Sequence, residues 1–178
     1  MEDLIRDWGY IILFLYSFGG GFLALVVAGI LSFSGELNIF VTIIVAGVAN
    51  FVGDQFLFTL ARKNKDQAKQ MMQKHRRKIA MAHLLMRRYG SWVIFLQKYI
   101  YGIKTLIPLA MGLTKYDYKK FFLFNIFATA LWAIFIGTAA YMMGDLVYTY
   151  IEEFKSYGLA VVAAILLTVF FFFRKLNK

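Results

Sequence analysis

The chain has 178 residues, 61% of them apolar and 19% aromatic, where roughly half apolar would be usual for a soluble domain of this size. Its net charge is +10, from 20 Lys and Arg against 10 Asp and Glu, but the basic residues sit beside long apolar runs. Retention on the cytoplasmic side of a membrane explains that pattern more simply than nucleic-acid binding, so no nucleic-acid partner is expected. The absence of cysteine excludes disulfides and thiolate metal sites.

The start of the chain, Met1 to Tyr10, is net acidic, and no small-residue cleavage site follows the first apolar run, so no signal peptide is expected. That first run, 10–33, is broken by Gly19-Gly20-Gly21. The second run, 39–61, is long enough for one transmembrane helix. A polar stretch, 62–90, follows with ten basic residues and one acid, Asp66. It has no Pro or Gly before Gly90, and Ala68, Met72, His75, Ile79, Ala82 and Met86 recur at helical spacing. It reads as a cytoplasmic amphipathic helix on an anionic leaflet. Lys74-His75-Arg76-Arg77-Lys78 could serve a nucleic-acid patch, but beside a membrane span surface anchoring is the better reading. His75 and His83 are eight residues apart without a nearby partner carboxylate, so no metal site is expected.

The third run, 91–114, is flanked by basic residues on both sides: Arg62 to Arg88 before it, and Lys115, Lys119 and Lys120 after it. Both flanks belong in the cytoplasm. A chain that returns to its starting side crosses an even number of times, and two full spans need about 40 residues. Only 24 are available, so a re-entrant hairpin of two half-helices is expected, with Gly102 and Pro108, the only proline, at the break. Run 10–33 has the same length and is expected to enter from the outside, the alternative being a single span with Met1 inside. Runs 121–143 and 157–173 are further transmembrane helices. Asp145, Glu152 and Glu153 lie outside, and the C-terminal tail with Arg174, Lys175 and Lys178 is cytoplasmic. The fold expected is therefore a single all-α integral membrane domain. It comprises two opposed re-entrant helical hairpins, each followed by a transmembrane helix as an inverted repeat, plus a C-terminal transmembrane helix and the cytoplasmic amphipathic helix. Inverted repeats with broken helices meeting at mid-membrane are a transporter architecture.

Ionisable groups at membrane depth cost about 2.5 kcal/mol or more each and are functional candidates. Asp54, Lys98 and Lys104 qualify. The two lysines flank the expected turn at Tyr101-Gly102-Ile103, and the second half-helix would aim its free N–H groups into the same space. Two ammonium groups and a helix N-terminus suit a phosphate or carboxylate. The competing reading is that the lysines snorkel to the surface, which works worst at a hairpin tip. Asn50 and Gly47 share a helical face with Asp54. Asp54 is read as the counter-charge of Lys98 or Lys104, a role compatible with proton or cation coupling. Asn125 supplies an interhelical hydrogen bond in 121–143. No enzyme motif survives inspection, and no cofactor is expected.

Around these residues the sequence resembles the DedA family of bacterial membrane proteins, the SNARE-associated Golgi protein or VTT-domain group. Gln97-Lys98-Tyr99-Ile100-Tyr101-Gly102-Ile103-Lys104-Thr105-Leu106-Ile107-Pro108 is similar to the family's R-F-x-P-x-x-R-T-x-x-P signature. The likeness continues through Ala110-Met111-Gly112, Tyr118, Phe121-Phe122 and Asn125 to Trp132, at the family's A-G, Y, F, N and G-x-x-x-W positions. Gly53-Asp54 followed by Ala61-Arg62 resembles its G-D…G-R pattern, and Ala28-Gly29 and Gly35-Glu36-Leu37-Asn38 also match. The resemblance implies two opposed re-entrant hairpins in a multi-pass protein of the bacterial cytoplasmic (inner) membrane. It also implies lipid transport, with family members linked to undecaprenyl phosphate recycling, phosphatidylethanolamine movement, membrane-potential homeostasis and cationic-peptide resistance. Two departures stand out. Lysines replace the family arginines, which keeps charge but loses the bidentate fork. Tyr16 to Phe22 lacks the acids and proline that many members carry and that are implied in proton coupling, leaving Asp54 as the remaining candidate.

The leading functional expectation is a flippase or scramblase for an anionic phospholipid or a polyprenyl phosphate. Its head group would lie at Lys98 and Lys104, near Tyr101, Gly102, Pro108 and Asn125, with Asp54 and Asn50 as ion pair or coupling groups. A proton-coupled transporter of an ion or small solute comes second, and a non-transport organiser that binds lipid through 62–90 third. The partners expected are membrane lipids with anionic head groups. Assembly is left open, a homo-oligomer included.

Overall fold

The computed structural model describes residues 2–73, 76–100 and 103–153, and these are helical almost throughout. The expected helix 157–173 lies outside the described residues, as do Tyr101 and Gly102. Helix α1 (Glu2–Phe18) and helix α2 (Phe22–Phe33) are separated by a tight turn. The turn is made at Gly20, whose φ of +132° is a conformation side chains disfavour. Gly20 N donates to Ser17 O at 3.2 Å and Gly21 N to Tyr16 O at 3.0 Å, which spends the last carbonyls of α1.

Helix α3 (Ile39–Lys63) starts at Asn38, whose side-chain oxygen accepts from Phe40 N and Val41 N. Its 25 residues span about 37 Å, more than the hydrocarbon core of a bilayer. The polar stretch 62–90, expected as one helix, is divided. Its first two residues end α3, and helix α4 (Lys65–Gln73) and helix α5 (Arg76–Tyr89) follow. The break falls at Asn64, which adopts φ −122° and ψ 73° at the C-cap of α3. The apolar face expected to lie on the leaflet points instead into the protein. Ala68 and Ala82 are fully buried, and Ile79 and Met86 pack on the same apolar cluster.

A 3-10 turn at Gly90–Trp92 leads into short helix α6 (Val93–Leu96). Lys98 N then donates to Phe95 O and Tyr99 N to Leu96 O, so the chain leaves the helix before residue 100. Helix α7 (Leu106–Leu113) resumes with Pro108 in its first turn, where a missing N–H costs nothing. Pro108 therefore sits at a helix start, and the break itself lies between Gln97 and Thr105. Helix α8 (Tyr118–Glu153) begins at Asp117, whose carboxylate accepts from Lys120 N at 2.8 Å.

Two features of the packing organise the bundle. First, each broken segment is closed at its mouth. Tyr10 Oη accepts from Asn38 N at 2.8 Å, and the hydroxyls of Ser91 and Tyr116 lie 2.5 Å apart. Secondly, the arms pack crosswise: α1 lies on α3 and α2 on α8, while α6 lies on α8 and α7 on α3. At one crossing Gly53 of α3 lies so close to the Phe18 carbonyl that no Cβ could be accommodated. The two mouths lie toward opposite ends of α3. Asn38 caps its start, while Arg62 near its end donates from Nε to Gly112 O and from one terminal nitrogen to Thr114 O and Tyr116 O. The Arg62 guanidinium also stands 4.8 Å over the Phe58 ring.

Among the described residues, two apolar clusters fill the interior. One gathers Phe58, Ile94, Ile107, Met111 and Phe121; the other Leu13, Leu25, Ala46 and Trp132. The outer faces of α1, α2, α3 and α8 remain apolar, with Leu15, Leu23, Ile44, Phe127, Leu131 and Phe135 all more than half exposed. Such a continuous band suits lipid, not water. Helix α3 and residues Tyr118–Tyr150 of α8 are long and apolar enough to cross a membrane.

Candidate functional site

Between the two clusters, α3 and α8 each carry a pair of polar residues one turn apart. Asn50 and Asp54 do so on α3, and Asn125 and Thr129 on α8; all four are buried. They converge on one atom. Lys98 Nζ lies 2.5 Å from Asp54 Oδ2, 2.7 Å from Asn50 Oδ1, 2.9 Å from Thr129 Oγ1 and 3.0 Å from Asn125 Oδ1. An ammonium has three protons to give, so four oxygen partners saturate it. The Lys98 side chain is fully enclosed and that of Asp54 nearly so. Gln97 lies alongside, its amide nitrogen 3.4 Å from Asp54 Oδ2. Asn125 Nδ2 reaches Phe51 O at 3.5 Å, tying α8 to α3 a second time.

A buried pair of this kind depends on further hydrogen bonds, which Asn50, Asn125 and Thr129 supply to Lys98 and Gln97 supplies to Asp54 Oδ2. Removing one member would strand the other in a low-dielectric interior. Asp54 is thus the counter-charge of Lys98, and Lys98 is tied to α3 and α8 at once. The side chain has no exposed surface with which to meet a head group directly.

Lys104 is held differently. Its ammonium donates to Gly20 O at 3.1 Å and lies 5.0 Å over the Trp132 ring. This joins the turn after α6 to the turn after α1. Among the described residues it has no carboxylate within ion-pair distance. Trp132 is fully buried, and its indole N–H has no partner among the described residues; the same holds for Asn50 Nδ2, Gln97 Oε1 and Ser17 Oγ. Polar capacity therefore remains unused around both lysines.

Of the residues expected from sequence, Lys98, Asp54, Asn50 and Asn125 meet in one cluster. Lys104 stands at the neighbouring turn contact, and Pro108 is buried in α7. The expectation that both lysines share one open pocket is replaced by a division. Lys98 is enclosed, whereas Lys104 is partly exposed. Thr129 joins the cluster beyond the residues expected from sequence, and its spacing of four from Asn125 in an apolar helix is the local signal for it. The partnership of Gly20 and Trp132 with Lys104 is long-range and has no local signature.

The helices, the apolar outer band and the enclosed ion pair define a helical membrane protein with a polar cluster inside its apolar core. The VTT domain model matches residues 8–142, and the chain belongs to this family, that of the DedA membrane proteins. It is similar to an Escherichia coli inner membrane protein, YohD, with 23% identity over 86% of this chain and 80% of the relative. An uncharacterized membrane protein of Mycobacterium leprae is 23% identical over 68% of this chain and 56% of its own length. One from Mycobacterium tuberculosis is 26% identical over half of this chain and 39% of its own length. No solved structure matches.

Proposed function

We propose that this protein is a flippase or scramblase that moves an anionic phospholipid or polyprenyl phosphate, such as undecaprenyl phosphate, across the cytoplasmic membrane. In this reading α1–α2 and α6–α7 are re-entrant hairpins that enter from opposite faces as an inverted repeat. Three observations support that placement: the closed mouths at Tyr10–Asn38 and Ser91–Tyr116, their positions toward opposite ends of α3, and the crosswise packing of the arms. The observation that carries the functional reading is Lys104, a cation where the two turns touch, with a carbonyl and an aromatic face as its only polar partners among the described residues. A phosphate entering there would gain a charge-assisted hydrogen bond from the ammonium, while its tails stayed in lipid beside the apolar outer faces. Lys98 acts one step back. It ties the turn after α6 to α3 and α8 and so fixes the segment from which Lys104 projects.

The test is transbilayer movement of a fluorescent anionic phospholipid in vesicles containing the purified protein. The reading expects faster movement than in protein-free vesicles, and loss of the excess in Lys104→Ala. Rates equal to those of empty vesicles would end it.

A second reading, proton-coupled transport, is favoured by one observation: Asp54 is a buried carboxylate whose protonation would break the pair with Lys98. It expects flux that follows an imposed pH gradient and loses that dependence in Asp54→Asn.

A further inference from the structure

Helix α5 has two faces, and among the described residues only one packs against the rest of the protein. Ile79, Ala82, Leu85 and Met86 pack into the apolar cluster that includes α7. On the opposite side Arg77, Met81, Leu84 and Arg88 follow one another at intervals of four, three and four residues, which places them in a single stripe along the helix. All four are exposed, Met81 to 54% and Leu84 to 64%. The stripe has an apolar centre and a guanidinium at each end. Just past it the chain presents Tyr89, whose ring lies beneath Arg88 at 5.5 Å, and Trp92, which is 64% exposed. At the next residue, Val93, the chain enters α6 and the protein interior.

We propose that this stripe is a binding surface for an anionic lipid leaflet, with Met81 and Leu84 in the acyl–glycerol boundary and Arg77 and Arg88 on phosphates. Four features select that occupant. Methionine and leucine gain from hydrocarbon, not from contact with a polyanionic backbone. Guanidinium stems lie along apolar surface while their heads reach phosphate. Tyrosine and tryptophan concentrate where membrane meets water. The stretch 62–90 carries ten basic residues against one acid, so its complement is negative. The proposal rests on the membrane setting and not on transport activity. It adds a site at which this protein senses the charge of the leaflet around it. Because α5 packs on α7, the lipids so gathered would stand beside the segment that leads to Lys104.

The chain has no cysteine, so Leu84→Cys gives one attachment point for a polarity-sensitive fluorophore in the full-length protein. The labelled protein is placed in vesicles of phosphatidylcholine alone or mixed with phosphatidylglycerol, with bromine on the lipid tails as quencher. The expected result is blue-shifted, quenched emission only with phosphatidylglycerol, weakened by salt. Arg77→Gln and Arg88→Gln should each raise the ratio of water-exposed to buried label about fivefold. A label at Met81→Cys should behave alike, which guards against a local fault at residue 84. Water-like, unquenched emission in phosphatidylglycerol overturns the proposal. So does equal burial in both lipids without dependence on the arginines, or a spectral change produced by added RNA but not by anionic lipid. None of these outcomes depends on whether the protein moves lipid.

Discussion

Lys104 and Gly20 are 84 residues apart in the chain, yet the ammonium of one donates to the carbonyl of the other at 3.1 Å. That bond brings together two turns whose glycine and lysine stand in unrelated stretches of sequence. It also leaves a cation where a helix pair would ordinarily bury only apolar side chains. In the proposed mechanism this contact is what a head group replaces. Lys104→Ala should reduce lipid movement by roughly 10-fold to 100-fold, the value of a hydrogen bond to a charged group. Because the side chain is partly exposed and unpaired with any described carboxylate, thermal stability should change little. Lys104→Arg should retain most activity, since it keeps the charge and adds a phosphate-matching fork. Transport by Lys104→Ala at the wild-type rate would remove Lys104 from the mechanism.

Asp54 and Lys98 should behave as a unit. Asp54→Ala or Lys98→Met alone is expected to cost about 3–5 kcal/mol, because each strands a buried partner. The double substitution should cost distinctly less than the sum. Unfolding in a mild detergent, followed for wild type, both single variants and the double variant, gives the coupling directly. Additive losses would mean that the pair is not the keystone its geometry indicates.

Arg62 fastens the end of α3 to three carbonyls, those of Gly112, Thr114 and Tyr116. Arg62→Ala should destabilise the protein by about 1–3 kcal/mol, and Arg62→Lys should recover only part of that because a point charge cannot span the three acceptors. The comparison is a melting curve of the three proteins in one detergent. Full recovery by lysine would assign the effect to charge alone.

Gly53 leaves no space for a side chain beside the Phe18 carbonyl. Gly53→Ala should push the first turn away from α3 at a cost of about 1–3 kcal/mol. It should also slow lipid movement, since Gly20 belongs to that turn. A variant with wild-type melting temperature and wild-type transport would show that the close approach is dispensable.

Much of this arrangement could be read along the chain. Long apolar runs, interrupted in α3 by Asp54 alone before Arg62, mark α2, α3 and α8, because apolar length is a local property. The convergence of Asn50 and Asp54 was legible for the same reason, as helical spacing fixes which residues share a face. What escaped was set by distant neighbours. Residues 62–90 contain no helix breaker before Gly90, yet the chain turns at Asn64 so that Ala68 and Ala82 can pack inside. Pro108 looked like a break and proves to be a helix start, since a proline is costless in a first turn. The enclosure of Lys98, as opposed to the partial exposure of Lys104, depends on Thr129 and Asn125 arriving from α8. The two lysines are alike in sequence, and only tertiary packing separates them.

The most direct test concerns the two broken segments. Single cysteines at Arg88 and Lys115 flank one of them, and a cysteine at Glu36 lies beyond the other; the chain has no cysteine of its own to interfere. In sealed right-side-out vesicles a membrane-impermeant thiol reagent should label Glu36→Cys only. After permeabilisation it should label Arg88→Cys and Lys115→Cys equally. Labelling of Arg88→Cys and Lys115→Cys from opposite sides would mean that residues 91–114 cross the membrane, and the account of Lys104 as a cation held at the tip of a returning loop would be wrong.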